Sequence, residues 1–432
     1  MKKVIYTLVG TLAAMVLAPQ AYAVPGYTRQ TGLECSICHF QSFPALNEMG
    51  RSFKAGGYTM TGGQLKVEGT EGFSLPATLN AGVVTKIRYQ KTNGGTTAGT
   101  HTTNDGQLQF PDELLLIAGG RVSENIGAQL ELNLKNTGGS VVENFKIPFI
   151  YNVSNYQAGV IPFTTGTQGV AYGFELLNTG AVRGGRIMEA RKSFSAQQYI
   201  GTAGAAEGVA VIASNTKYFA NFSKWSPRSV GAANSGAPTA SYLRLAVTPK
   251  MGIWDTGLGA QLWNGSATKP DLTAVEIKAY AIDAQAQGEV AAMPLGVYLT
   301  HANASGSNQV VGTIKNFFNA NPNAITATTI AGQLGVLPGK ATLLMAYRKG
   351  DNGKATGSGD NALMIGGTYQ IVQNVQLQFN HEMYSGSAYD GSPANGNQLS
   401  TLMLFGAFWA WIPGYLQAKR GSHIVITTIM FN

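Results

Sequence analysis

From Leu79 onward the chain repeats with a period of two. Leu79, Ala81, Val83, Thr85, Ile87 and Tyr89 fall on one side, and Asn80, Gly82, Val84, Lys86, Arg88 and Gln90 on the other, since successive strand residues point to opposite faces. A further strand is expected around 114–122. In Ala128–Lys135 the residues Ala128, Leu130, Leu132 and Leu134 interleave with Gln129, Glu131, Asn133 and Lys135, and similar alternation returns in Leu243–Val247, Leu295–Leu299, Leu343–Tyr347 and Val375–Phe379. Tight turns are expected at Ser123–Gly127, Asn152–Tyr156, Pro249–Gly252, Leu337–Lys340 and Val372–Asn374. Long loops rich in Gly, Asn and Ser are expected at 92–106, 164–207, 224–240, 302–325, 349–360 and 385–397. Apolar-out strands joined alternately by short turns and long loops predict a mainly β fold, an antiparallel transmembrane barrel. At roughly 22 residues per strand and connection, the chain holds about sixteen strands. A soluble sandwich or propeller would turn charged residues, rather than Leu, Val and Tyr, outward.

Composition agrees. Only 12% of residues are charged and 55 of 432 are Gly, which suits strands and turns better than helices. The formal charge of +8 falls by two when Lys2 and Lys3 are set aside. So moderate an excess, with no basic-aromatic motif, predicts no nucleic-acid partner. Residues 1–23 read as a secretory leader: Lys2 and Lys3, an apolar run Val4–Leu17, then Ala21-Tyr22-Ala23 as an A-x-A cleavage site. No later segment has the 18 or more continuous apolar residues of a spanning helix. An exported chain that crosses a membrane without one crosses as a barrel, in partnership with outer-membrane lipid.

Residues 24–60 carry the second signal. Cys35, Cys38 and His39 form Cys-x-x-Cys-His, the arrangement that attaches a c-type haem through two thioethers and places the imidazole as an axial iron ligand. The rival readings are a disulfide, half of a zinc site and a thioredoxin-like motif. Zinc needs more thiols or a His pair, whereas His101, His301, His381 and His423 are scattered. A thioredoxin-like motif needs a βαβ context, which is absent. A short helix is expected over 44–55, capped by Ser42, with Pro44 in its first turn and Gly56-Gly57 ending it. Leu46, Met49 and Phe53 give it one narrow apolar stripe. Arg51 and Lys54 lie off that stripe, as candidate contacts for the haem propionates. Met60, beyond the Gly pair, is the expected second axial ligand and Met49 the alternative. A residue of the barrel wall, or an open position, remains as a further option.

PGYTRQTGLECSICH followed by FPALNEMGRSFKAGGY resembles the N-terminus of the outer-membrane fused monohaem cytochrome c–porins, a family that includes the iron-oxidising outer-membrane c-type cytochromes. The matching residues are Pro25, Arg29, Gln30, Thr31, Gly32, Cys35, Cys38, His39, Pro44, Leu46, Asn47, Gly50, Arg51, Phe53, Lys54, Gly57 and Tyr58. Beyond them the likeness is one of architecture, except at Gly119–Glu131 (GGRVSENIGAQLE). The resemblance implies one covalent haem c held in or near the barrel. It implies electrons passing from an extracellular donor, Fe(II), to a periplasmic c-type cytochrome or other acceptor, as in an Fe(II):cytochrome c oxidoreductase. A porin for small solutes with a periplasmic haem domain is the alternative, as is a conduit for a non-iron donor.

Residues 61–74 are Gly-rich and polar, and read as a linker from the cytochrome segment to a barrel over 75–432. Extended, fourteen residues reach roughly 46–50 Å, enough to let the segment enter and plug the lumen from the periplasmic side. The insert Thr164–Glu207 reads either as a surface loop or as an inward fold narrowing the pore, with a helical stretch near 172–177 and basic Arg183, Arg186, Arg191 and Lys192. Loop residues Asp105, Asp351, Asp360, Asp390 and His101 suit transient contact with a hard cation, without ligand spacing. Two stretches compete as closing strand, Ser400–Trp411 and Ile424–Phe431, the first leaving 413–432 as an extension.

Overall fold

The computed structural model describes residues 25–41, 43–68, 74–77, 79–94, 104–135, 141–181, 194–228, 236–390 and 396–408. Sixteen strands form its wall. The first five are β1 (Ala81–Thr92), β2 (Gln107–Arg121), β3 (Gly127–Asn133), β4 (Val142–Lys146 continued by Phe149–Val153) and β5 (Tyr156–Thr165). Then come β6 (Ala206–Ser214), β7 (Tyr218–Pro227), β8 (Ala240–Val247 continued by Lys250–Met251), β9 (Trp254–Thr268), β10 (Ala274–Val290) and β11 (Met293–Ala304). The last are β12 (Ile325–Leu337), β13 (Ala341–Asn352), β14 (Asn361–Val372), β15 (Val375–Ser385) and β16 (Gln398–Phe408).

Each wall strand pairs antiparallel with the next, and β16 pairs with β1 from Leu399↔Thr92 to Phe408↔Val83, closing the ladder. This decides between the two candidate closing strands in favour of the stretch at 400–411. Ile424–Phe431 lies outside the described residues. Closure leaves no edge with unpaired backbone donors.

Connections at one end are short: 122–126, 154–155, 215–217, 252–253, 291–292, 338–340 and 373–374. The turns at 215–217 and 291–292 escaped the sequence reading. At the other end the connections are long, apart from 269–273. There β9 and β10, the longest pair at 15 and 17 residues, extend the wall itself instead of handing over to a loop.

The outer face carries the apolar band. On neighbouring strands Val211, Phe222, Leu243, Leu262 and Tyr280 form one outward row, each exposed by 36% or more. One step toward the long loops the same faces bear Lys224, Ser241, Asn264 and Lys278. Toward the short turns Tyr156, Tyr218, Tyr369 and Phe408 are exposed. Aromatic rims around an apolar band, with charge beyond them, mark a barrel built to sit in lipid. Inside, Gln90, Asn221, Arg244, Gln261, Asp283, Arg348, Gln378, Asn380 and Glu382 are all buried, so the polarity of a soluble protein is inverted.

Two expectations for the N-terminal part need correction. Besides α1 (Pro25–Thr31) and α2 (Cys35–Cys38), the helix expected over 44–55 forms only over α3 (Glu48–Ala55). Its cap is Asn47, whose side chain accepts from the Gly50 amide; Ser42 lies outside the described residues. Residues 45–47 are held instead against 38–40, through Phe40 N–H to the Ala45 carbonyl (2.9 Å) and Asn47 N–H to the Cys38 carbonyl (3.1 Å). The Gly pair does end the helix: Gly57 has φ +68°, and Tyr58 N–H reaches the Phe53 carbonyl while Gly57 N–H reaches that of Lys54, a Schellman closure.

The stretch at 61–74 is not an extended tether. Lys66–Glu68 pairs with Ser74–Pro76, Gly62 N–H donates to the Gln30 carbonyl, and the Gln64 amide donates to Asn80. A polar chain beside a wall finds hydrogen-bond partners there rather than remaining stretched.

Leu245 faces outward midway between the Tyr218 and Phe222 rows. Leu245→Arg should lower the free energy of folding into lipid vesicles by about 2–4 kcal/mol, the cost of a cation near the bilayer midplane. Urea titration of the reconstituted protein measures it, and an unchanged midpoint would mean that this face does not meet lipid.

Candidate functional site

The N-terminal segment lies inside the barrel at the short-turn end, touching wall strands distributed around the circumference. Gln41 donates to the carbonyls of Pro294 on β11 and Gln333 on β12 (3.1 and 3.0 Å). The Arg51 guanidinium holds Asp255 of β9 with two bonds of 2.7 and 2.8 Å, and Glu48 pairs with Lys250 of β8. Phe43 stacks on Phe405 of β16 at 6.0 Å.

On the opposite side, Gln30 is fully buried and bonded at both ends of its amide. Its nitrogen donates to the carbonyls of Tyr58 (2.6 Å) and Met60 (2.9 Å), and its oxygen accepts from the Arg121 amide (3.0 Å) and from Asn80 (3.1 Å). A Cβ added at Gly127 would collide with the Gly57 carbonyl, and one at Gly120 with the Gln30 side chain. The glycines of 119–127 therefore let the β2–β3 turn close on the segment. The two stretches that carry the family resemblance are in contact.

The insert after β5 folds inward through residues 166–181 and 194–205, which settles that alternative. It has a 3-10 turn at Val170–Tyr172 and a short helix α4 (Ala196–Tyr199). Phe174–Gly180 is buried throughout, held by Thr179 to Asp283 (2.6 Å) and by Arg244 to Glu175 and Asp283. Asn178 reaches the N-terminal segment, accepting from the Leu46 amide (2.7 Å) and donating to its carbonyl (2.9 Å). Arg183, Arg186, Arg191 and Lys192 lie outside the described residues.

At the centre of the segment, Cys35 and Cys38 stand one helical turn apart on α2 with no disulfide between them, Cys35 buried and Cys38 half-buried. Burial pushes the Cys38 thiol up, opposite to the lowered thiol of a Cys-x-x-Cys oxidoreductase. His39 Nδ1 lies 3.2 Å from the Ala45 carbonyl. That oxygen can only accept, so Nδ1 is the nitrogen that donates here, which in the neutral ring leaves the lone pair to Nε2. Gly50 packs on this turn so closely that a Cβ would collide with the Cys38 carbonyl. The Phe43 ring lies 5.4 Å from the imidazole, edge to face.

The remaining candidate residues are placed as follows. Arg51 is buried and paired with Asp255, so its charge anchors the segment to the wall. Lys54 lies where burial pushes its ammonium down against the pull of the Glu175 carboxylate. Met49 is on α3, whose Phe53 packs on Tyr27 and Tyr58. Met60 is 37% exposed, its carbonyl held by Gln30. Asp351 bonds within its own loop to Ser358 and Gly353, and Asp360 accepts from Arg348, Tyr199 and Tyr389. Among the described residues no three His, Cys, Asp or Glu gather as a metal site, and His101 lies outside them. Sequence reasoning missed Asp255, Asn178 and Gln41; Asp255 and Asn178 meet the segment from 204 and 132 residues away.

No family model and no curated protein matches the sequence. Solved structures similar to the chain include the channel DcaP of Acinetobacter baumannii (11% identity, 79% of this chain and 99% of that one, TM-score 0.48). OmpT of Vibrio cholerae is another (11%, 76% and 95%, 0.43), as is a double mutant of the Rh. blastica porin (14%, 77% and 100%, 0.45). The barrel described above rests on its own strand pairing, and likenesses of this degree say nothing of what the chain binds.

Removing Asp255 leaves Arg51 buried without its carboxylate, which costs about 3–5 kcal/mol. Asp255→Ala should therefore expose residues 25–60 to limited proteolysis while the barrel stays heat-modifiable, and Arg51→Ala added to it should restore part of the protection. Protection equal to the parent protein would show that the pair does not hold the segment.

Proposed function

We propose that this chain is an outer-membrane electron conduit: a monohaem c-type cytochrome segment seated in a porin-like barrel, passing electrons from an extracellular donor to a periplasmic acceptor. The observation that carries the reading is the Cys35, Cys38 and His39 turn standing inside the lumen, with Nδ1 of His39 donating to the Ala45 carbonyl. The residues fit a covalent haem c. Two unoxidised thiols on one turn match its two thioether bonds, and a histidine whose far nitrogen holds the lone pair is the axial donor such a group requires. When bound, that group supplies one-electron exchange at a potential set by its ligands and burial.

The chain's own residues do the rest. Gln30, Gln41 and Arg51 fix the segment to opposite walls, so that the Cys-x-x-Cys-His turn keeps its depth in the membrane. Phe43 stands edge to face against the His39 ring and stacks on Phe405, and Tyr27, Phe53 and Tyr58 form the segment's own aromatic centre. Asn178 brings the inward loop down onto the segment from the long-loop side, so that two inward pieces of the chain share the lumen, which favours the conduit over the solute porin. The short-turn end faces the periplasm in barrels of this type, so a soluble acceptor would meet the segment there. Outer-membrane residence follows from an exported chain with a lipid-facing wall.

The donor suggested by the resemblance is ferrous iron. Contact at a haem needs no resident metal site, so the dispersed loop carboxylates do not argue against it. Stopped-flow mixing of the purified ferric protein with Fe(II) should give the reduced c-type spectrum. No reduction by Fe(II), with full reduction by dithionite, would keep the cytochrome and reject iron as donor.

A further inference from the structure

One peptide group steers the His39 ring, and the barrel in turn holds that peptide; this inference rests on the haem reading above. The Ala45 carbonyl accepts from His39 Nδ1 at 3.2 Å and from Phe40 N–H at 2.9 Å. The other half of the same peptide is the Leu46 N–H, which points the opposite way across a trans bond. It donates to Oδ1 of Asn178 at 2.7 Å, and Nδ2 of Asn178 donates back to the Leu46 carbonyl at 2.9 Å. Asn178 therefore meets both backbone groups of Leu46, as a neighbouring strand would. The pattern also fixes which end of its amide is oxygen, since the N–H needs an acceptor and the carbonyl a donor.

Asn178 is itself held by the wall. It is buried, its N–H donates to Gln285 of β10 at 2.8 Å, and the adjoining Thr179 bonds Asp283 of the same strand at 2.6 Å. On the far side of Leu46, Asn47 donates its N–H to the Cys38 carbonyl at 3.1 Å and its side-chain amide to that of Ile37 at 3.0 Å. Residues 45–47 are thus a strap between the inward loop and the Cys-x-x-Cys-His turn, and one line of bonds runs from β10 through Asn178, Leu46 and Ala45 to His39. An acceptor at the N–H end of a peptide polarises its carbonyl and strengthens the bond that this carbonyl accepts. A ligating histidine whose other nitrogen donates to a stronger acceptor is held in orientation and is a more basic ligand.

We infer that Asn178 is a positioning residue for the axial histidine: from the inward loop it orients and polarises the Ala45–Leu46 peptide, and through that peptide it sets the basicity of His39. A more basic imidazole favours ferric over ferrous iron, so Asn178 holds the reduction potential down. The barrel then tunes the redox centre as well as seating it.

The test compares full-length parent, Asn178→Leu, Asn178→Ser, Asn178→Asp and Gln197→Leu proteins in detergent, each checked for haem staining on denaturing gels and for heat-modifiability. Leucine matches the asparagine in size and makes neither bond; serine is too short for either and keeps a polar group if leucine prevents assembly. Aspartate keeps the acceptor for the Leu46 N–H. Gln197→Leu removes a buried bond of the same loop, to the Gly180 carbonyl, without touching the segment. Asn178→Leu and Asn178→Ser should have a higher reduction potential than the parent, Asn178→Asp should not exceed it, and Gln197→Leu should match it. In the ferrous protein labelled with [15N]histidine, the His39 Nδ1 proton should exchange slowly in the parent and faster in Asn178→Leu or Asn178→Ser. An unchanged potential in those two variants, an equal rise in Gln197→Leu or Asn178→Asp, or a fast-exchanging Nδ1 proton in the parent overturns the role of Asn178 and leaves the cytochrome standing. A parent that does not stain for haem overturns the cytochrome itself, and the role of Asn178 with it.

Discussion

The ladder between β16 and β1 is the constraint on which the rest depends. Once Gln398–Phe408 closes onto Ala81–Thr92, no strand edge remains to be satisfied and the wall can face lipid with apolar side chains. Within the apolar band the polar residues of the strands must then turn inward, where they need partners. The barrel answers with short-range pairs such as Lys86–Glu113 and Arg88–Asp112, and with an inward loop whose Glu175 and Thr179 reach Arg244 and Asp283. The N-terminal segment is the third answer. Gln41, Arg51 and Gln30 each meet a polar group of the wall.

That arrangement gives so short a segment the walls that the proposed redox role requires. Thirty-odd residues have too little core of their own to shelter a prosthetic group. Here Tyr27, Phe53 and Tyr58 make a small aromatic centre, and the remaining sides are supplied by Phe405, by the turn at Gly127 and by Asn178. The site belongs to the barrel as much as to the segment. Moving the Cys-x-x-Cys-His turn out of the lumen would strip it of its second wall and of its depth in the membrane together.

Local chemistry was legible in the sequence. Period-two alternation marked the wall because a strand's two faces differ residue by residue, and Gly56-Gly57 ended α3 as expected because only the left-handed backbone at Gly57 closes the helix there. Contacts between distant parts were not legible. Arg51 looked like an exposed basic residue because nothing near it in sequence announces Asp255. The expected start at Pro44 gave way to Asn47 because residues 45–47 are drawn onto the backbone of 38–40. The region 61–74 looked like a spacer because a polar, Gly-rich composition carries no record of the wall it folds against.

The central claim is that electrons, and not solutes, cross this barrel. It is tested most directly in vesicles holding a trapped membrane-impermeant oxidant, with the protein reconstituted across the bilayer and an impermeant reductant added outside. The account requires the trapped oxidant to be reduced at a rate proportional to the haem content, with no swelling of the vesicles in small sugars. Sugar-driven swelling with the trapped oxidant left untouched would contradict it.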